Sequence, residues 1–233
     1  MERYEKYKDS GVEWIGEIPE GWEVKKLKFI VSNLESGVSV NSTDYPVTGH
    51  AYGILKTSCV YNYVFDPNEN KEIWQSELNR AKVNPRKGEI IISRMNTPDL
   101  VGASGYVDKD YGNLFLPDRL WQTTFIHHIE IDTKWLSFVL KSTRFRMLLS
   151  ITATGTIPSM KNLTQEDFLN IVVPFPSVED QTAVVQHIET ETARINAKIA
   201  KTKKIIALQK EYRTALISEV VTGKIKVTQE AVA

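Results

Sequence analysis

The stretch that decides the architecture runs from Val178 to Val221 and reads VEDQTAVVQHIETETARINAKIAKTKKIIALQKEYRTALISEVV. It holds neither glycine nor proline, so no residue in it breaks a helix. Glu179 and Asp180 stand in the first turn, and lysine and arginine become denser toward the end, which suits a helix dipole. Apolar residues recur at helical spacing at Val184, Ile188, Ile195, Ile199, Ile206, Tyr212, Leu216 and Val220. Thr192, Thr202 and Gln209 interrupt this stripe. At a rise of ~1.5 Å per residue the helix would be roughly 65 Å long, where an average helix has ~11–12 residues. It would overhang any domain the rest of the chain could build. The stripe is therefore expected to face a partner helix. The plainer alternative is a helix packed along its own domain.

The chain has 233 residues, enough for one ordinary domain and an extension, and 42% of them are apolar, which supports a real core. Formal net charge is zero. The strongly basic balance that announces nucleic-acid binding is absent, and any basic patch must be local. Cys59 is the single cysteine, which excludes an internal disulfide and a cysteine-based zinc site. No apolar run is long enough to span a membrane, and the opening MERYEKYKDSG does not look like a signal peptide. The expected location is the cytoplasm.

In order along the chain, Gly11, Gly16, Pro19 and Gly21 punctuate a stretch that holds Trp14 and Trp22, and predict an extended arm pinned by aromatic anchors. Strands are predicted over 24–31, 51–55, 59–65, 88–94, 103–107, 114–116, 122–131 and 171–173. Short or long helices are predicted over 73–82 and 133–149, with Lys141, Arg144 and Arg146 largely off the apolar face of the second. Residues 152–161 predict an ordered loop. Thr164 followed by Asp167 predicts a capped helix start. Pro174 and Pro176 mark a stiff boundary. The expected division is a domain over 1–176, a helical region over 177–223 and a tail over 224–233. The fold class expected is α+β: a mixed domain, then a long helix that forms an antiparallel coiled coil.

Three stretches together resemble one family. Tyr7 to Lys28 (YKDSGVEWIGEIPEGWEVKKLK) is similar to the opening of the specificity (S) subunit of type I restriction–modification systems. Ala153 to Gln181 (ATGTIPSMKNLTQEDFLNIVVPFPSVEDQ) resembles that family's junction between a target-recognition domain and a conserved helical region, and Ala215 to Ile225 (ALISEVVTGKI) resembles the end of that region. The loop Ser93 to Gly102 (SRMNTPDLVG) has the same look. The usual family member carries two recognition domains and two helical regions. This sequence has one of each, so the resemblance implies a half-size S subunit. It further implies double-stranded DNA, a methyltransferase (M) subunit and a restriction (R) subunit as partners, a homodimer through the long helix, and no chemistry in the chain itself. S-adenosylmethionine, ATP and Mg²⁺ would belong to partner subunits. The ending VTGKIKVTQEAVA, beyond the helix, is expected to be a natural C-terminus.

Signatures of a DNA-directed enzyme are missing: the sequence has no Gly-x-Gly-x-x-Gly loop, no Walker loop, and no Asn/Asp-Pro-Pro-aromatic motif. Pro117-Asp118 followed by Asp132-x-Lys134 fits a permissive nuclease pattern, in which two acids and a lysine hold Mg²⁺ and activate water. A Mg-dependent nuclease is therefore the least favoured alternative. His127 and His128, adjacent on a strand, would point to opposite faces and could not share a metal. His50, His187 and Cys59 have no obvious partner in sequence, and no metal site is expected.

Reading DNA needs side chains that bond base edges and groups that grip phosphates, and loops presented by strands supply both. Three segments qualify: Lys56-Thr57-Ser58; Arg94, Asn96 and Thr97; and Thr154-Gly155-Thr156 with Ser159 and Lys161. Arg94 suits guanine and Asn96 adenine. Gly155 would let backbone approach a phosphate. Lys82, Arg86 and Lys87 could add phosphate grip. Each segment could equally be an ordinary solvated loop. Lys198, Lys201, Lys203, Lys204 and Lys210 lie on the long helix, where a charge run is most often a wet face. The alternative from another class is a structural or regulatory coiled-coil oligomer without its own DNA readout.

Overall fold

A computed structural model describes residues 3–157 and 160–227, and the chain divides into two units, Met1–Thr182 and Ala183–Ala233. The first unit opens with a ribbon of β1 (Tyr7–Asp9) and β2 (Glu17–Pro19), paired antiparallel. The two tryptophans do anchor it. The Trp14 indole donates to the Val172 carbonyl at 3.0 Å and meets the Phe145 ring edge-on at 5.4 Å, and the Trp22 indole donates to the Asp180 carboxylate at 3.1 Å.

The strand predicted over 24–31 is split. β3 (Glu23–Lys26) gives way to a 3₁₀ turn at Leu27–Phe29 and then to β4 (Val31–Ser36). Leu27 and Ile30 are both fully buried. Residues three apart on one strand would face opposite sides, and the turn brings both inward. β5 (Gly53–Leu55) follows as predicted. The strand predicted over 59–65 is instead a 3₁₀ turn, Thr57–Val60, followed by Tyr63 at φ 56°. Adjacent Cys59 and Val60 both enter the core with Phe65, which strand alternation forbids. Burial pushes the Cys59 thiol far above its ordinary range; it is a core residue.

Next come β6 (Asn70–Glu72), a 3₁₀ turn over Gln75–Arg80 where a short helix was predicted, β7 (Ile90–Ser93), β8 (Met95–Asn96), β9 (Ser104–Tyr106), β10 (Leu114–Phe115) and β11 (Leu120–Phe125). The central sheet has the order β4-β11-β7-β9 with antiparallel neighbours throughout. Ile90, Ile91 and Ile92 of β7 are all fully buried, so this β-branched run is covered on both faces. A smaller sheet, β10-β5-β6, contains a parallel β10–β5 pair.

The helix predicted over 133–149 is two helices, α1 (Thr133–Lys141) and α2 (Thr143–Thr152). Ser142 separates them in an extended conformation, and its hydroxyl accepts the Phe145 N–H at 3.4 Å as the cap of α2. The break resets the helical phase. Arg146, expected off the apolar face, is consequently buried at 8% exposure. The ordered loop predicted over 152–161 is β12 (Thr154–Ile157) and β13 (Met160–Asn162), which join β8 in the sheet β12-β13-β8. α3 (Gln165–Asn170) starts at Thr164 as predicted, with the Thr164 hydroxyl accepting the Asp167 N–H at 3.0 Å and donating to the Asp167 carboxylate at 2.6 Å. β14 (Val172–Phe175) pairs with β3.

α4 spans Val178–Val221, 44 residues, the stretch predicted as one helix. Along the part in the second unit, Ile195, Ile199, Ile206 and Tyr212 are 50%, 47%, 50% and 64% exposed, and Leu216 is 38% exposed. Val184, Ile188 and Val220 are partly buried. The architecture is thus α+β with a long C-terminal helix. No helix among the described residues is long and apolar enough to cross a membrane.

Candidate nucleic-acid interface

The three segments singled out for DNA contact lie far apart in sequence, yet they meet around one residue, Asn96. On β8, Asn96 is paired across the strand with Lys161 of β13, and its amide Nδ2 donates to the Tyr61 hydroxyl at 2.9 Å and to the Ser93 hydroxyl at 3.2 Å. Its Oδ1 accepts the Thr97 N–H at 2.9 Å. Tyr61 shares a hydrogen bond of 2.9 Å with Thr57. Segment 56–58 is thereby tied to segment 93–97, and segment 93–97 to the β12–β13 hairpin. Ser93 N–H donates to the Ala103 carbonyl at 2.8 Å and Gly102 N–H to the Ser93 carbonyl at 2.6 Å, which closes the loop between β8 and β9 at its base.

These bonds show how two of the residues singled out from sequence are engaged. Asn96 is buried with its amide committed on both sides, so it holds the loop together rather than presenting a free amide to adenine. Gly155 is exposed backbone, but a Cβ there would stand 2.1 Å from the Met160 carbonyl oxygen. Its bare Cα is used for the close crossing of β12 and β13. Segment 56–58 is also engaged internally: Lys56 faces Glu69 at 3.6 Å, and the Ser58 hydroxyl donates to the same carboxylate. Thr97 and Thr154 are exposed, Lys161 is partly buried, the Thr156 side chain is not described, and Ser159 lies outside the described residues.

Arg94 keeps its guanidinium 6.0 Å from the Trp121 ring centroid, within reach of a cation–π contact. Its Nε is buried without an acceptor, and Oδ1 of Asn162 on the neighbouring β13 is buried without a donor. Arg86, proposed from sequence as phosphate grip, faces Glu35 instead.

Sequence reasoning missed Arg146. From α2 it donates Nη2 to the Asp99 carbonyl at 3.1 Å, and its guanidinium lies 5.4 Å from the Tyr63 ring. A Cβ on Gly102, at φ +71°, would meet Leu149 Cδ1 at 2.4 Å and Arg146 Nη1 at 2.9 Å. The loop over 97–102 is therefore clamped from beneath by α2. The arginine's placement depends on the break at Ser142, which the apolar pattern of 133–149 hides.

Two members of the permissive nuclease pattern are engaged in the fold. Asp132 caps α1, accepting the N–H groups of Lys134 and Trp135 at 3.0 and 3.2 Å, while the Lys134 ammonium lies over the Tyr106 ring at 5.6 Å. Among the described residues no three His, Cys, Asp or Glu side chains group as a metal site.

No family model matches the chain. Curated relatives do. The EcoEI specificity subunit of a type I restriction enzyme from Escherichia coli is 27% identical over 174 residues, 74% of this chain and 29% of that protein. The MjaVIII specificity subunit of a type I restriction enzyme from Methanocaldococcus jannaschii is 29% identical over 224 residues, 91% of this chain and 48% of that protein. Among solved structures, a chain from a study of complex assembly and conformational transition in the type I R-M system superposes with a TM-score of 0.62 at 17% identity, over 91% of this chain and 48% of that one. An HsdS subunit from Thermoanaerobacter tengcongensis superposes with a TM-score of 0.54 at 18% identity, over 82% of this chain and 41% of that one. The chain spans less than half the length of these relatives. Sequence and fold agree in what the chain is similar to, the specificity subunits of type I restriction–modification systems, and it matches between 29% and 48% of their length.

Proposed function

We propose that the chain is a sequence-specific DNA-recognition subunit that reads one half of a bipartite site. The observation that carries this reading is the joining of segments 56–61, 93–97 and 154–162 around Asn96, on short strands that fix them. DNA recognition needs a rigid platform bearing cations and hydroxyls, and this is the place in the first unit where sequence-distant groups of that kind converge. The relatives, named as specificity subunits, support the same reading. Arg94, Thr97, Thr154, Thr156, Ser159 and Lys161 are the contacts proposed, with Asn96 and Arg146 as residues that position them.

The chain catalyses nothing on this reading and holds no cofactor. It docks an M subunit, which brings S-adenosylmethionine and flips the target base out of the duplex, and an R subunit, with which ATP and Mg²⁺ belong. The work is done in the cytoplasm. Two copies paired antiparallel through the α4 stripe would present identical half-sites in two-fold relation, so the site would be an interrupted palindrome with a gap set by helix length. The test is the methylome of cells with and without this gene: an interrupted, symmetric motif lost with the gene is expected, and an unchanged methylome rejects the proposal. In a binding assay with the M subunit present, Arg94→Ala should weaken specific binding by ~1–3 kcal/mol if it reads a base.

A second reading, a coiled-coil oligomer without DNA readout, draws on the half-exposed isoleucines of α4. A complex with the M subunit that assembles yet retains no specific DNA fragment would decide in its favour.

A further inference from the structure

Several cations of the first unit that flank the sheets face a carboxylate. Lys56, Lys71, Arg80 and Arg86 face Glu69, Asp44, Glu77 and Glu35 respectively. Others do not, and three of these lie close together in the fold. Arg94, Arg119 and Lys161 have no ion pair and no side-chain hydrogen bond among the described residues. These three come from separate parts of the chain, and the backbone knots them together. The Arg94 N–H donates to the Arg119 carbonyl at 3.0 Å, the Arg94 carbonyl accepts the Leu163 N–H at 2.8 Å, and Lys161 is the strand partner of Asn96, two residues from Arg94.

We infer that Arg119, which no sequence motif marks, grips a backbone phosphate of bound DNA beside Arg94. This rests on the DNA-recognition reading above and adds a residue and a role to it. Arg119 is exposed in the turn before β11, a turn closed by the Leu120 N–H on the Pro117 carbonyl at 3.2 Å. Its neighbour Asp118 is exposed and makes no ion pair with it among the described residues. Like charges gathered without counter-ions repel, and the arrangement gains only when an anion joins it. The buried, unpartnered Arg94 Nε and Asn162 Oδ1 inside the same knot show that its polar groups are not satisfied from within. Arg94, half-buried against Trp121, is constrained in direction; Arg119 in its turn is free to follow a sugar–phosphate chain. The planar guanidinium fork suits a phosphate.

The experiment measures binding of the full chain, with and without its M subunit, to a labelled random-sequence duplex of about 30 base pairs, from about 50 to about 200 mM KCl. Each phosphate contact adds ~0.9 to the slope of log affinity against log salt. R119Q should therefore lose about threefold less affinity than wild type across that range, while R119K keeps the wild-type slope. K26Q, which removes an exposed cation on β3, should leave the slope unchanged. A wild-type slope in R119Q overturns the inference and leaves DNA recognition standing. No binding by the wild-type complex overturns both. If R119Q fails to fold, wild-type protein treated with phenylglyoxal decides: DNA should protect Arg119 from modification in mass spectra, and equal modification with and without DNA rejects the role.

Discussion

Isoleucine occurs in two very different settings in this chain. In β7, Ile90, Ile91 and Ile92 follow one another and none is exposed; in α4, Ile195, Ile199 and Ile206 repeat at helical spacing and each is about half exposed. The first run is hydrophobic because a central strand is covered on both faces. The second is hydrophobic on one stripe, and in the single chain that stripe meets water. Burial of an isoleucine side chain is worth about 1.5–3 kcal/mol, so the β7 residues are satisfied by folding, whereas on the proposed reading the α4 residues would gain theirs from association. One region of the sequence encodes a fold, and the other, on the proposed reading, encodes a partner.

The comparison breaks most readily at β7. Ile91→Ala should lower the unfolding free energy by about 2–5 kcal/mol, because both faces of the strand are closed and the cavity cannot collapse. Urea denaturation of the full chain measures it, and a loss under ~1 kcal/mol would mean the sheet repacks around the gap. Ile199→Ala should leave that transition within about 0.5 kcal/mol of wild type, as expected for an exposed position. Its effect should appear in association: light scattering and M-subunit capture should show weaker pairing, by up to ~2 kcal/mol if the residue becomes fully buried in the interface. An Ile199→Ala chain that unfolds early but assembles normally would show that the stripe packs at home.

The sequence made the regular parts of the fold readable and hid those that depend on local caps and turns. The limits of α4 follow from an unbroken pattern without glycine or proline, and the α3 start follows from Thr164 and Asp167. The 133–149 pattern looks like one helix because Leu136, Leu140, Phe145 and Leu149 are all buried. Only the extended backbone at Ser142 separates the two segments, and serine is as ordinary inside a weak helix as at a cap. The β12–β13 hairpin was hidden because its residues are small and polar and its pairing partner, β8, is about sixty positions upstream. At the candidate interface, residue types picked out segments that the fold brings together, but not how each side chain is engaged there. Asn96 has the groups to read a base and spends them on Tyr61, Ser93 and Thr97, and Arg119 carries no local signal beyond its charge. The bonds from Asn96 to Tyr61 and from the Arg94 N–H to the Arg119 carbonyl join distant segments, and no short motif records them.

Even in the buried region the contrast with α4 is not purely one of apolar against wet. Glu89, at the start of β7, accepts the Thr123 hydroxyl at 2.9 Å, and that hydroxyl in turn accepts the Ile90 N–H at 2.9 Å. Burial raises the Glu89 carboxyl above the ordinary glutamate range, with Glu35 adding to the rise and Thr123 and Arg86 opposing it. A carboxyl whose folded-state pKa is raised binds its proton more tightly in the folded protein than in the unfolded chain. Its contribution to stability is therefore fully present below the unfolded value, ~4.3, and is lost as pH rises through the folded value. Glu89→Gln keeps an oxygen for the Thr123 hydroxyl and never ionises. The stability of wild type relative to Glu89→Gln should fall as pH rises from about 4 to about 7, a modest change because the site is only partly buried. Paired urea titrations across that range measure it. A gap that widens in favour of wild type with rising pH would mean that Arg86 outweighs burial at the sheet edge, and that this end of β7 is held by charge rather than by exclusion of water.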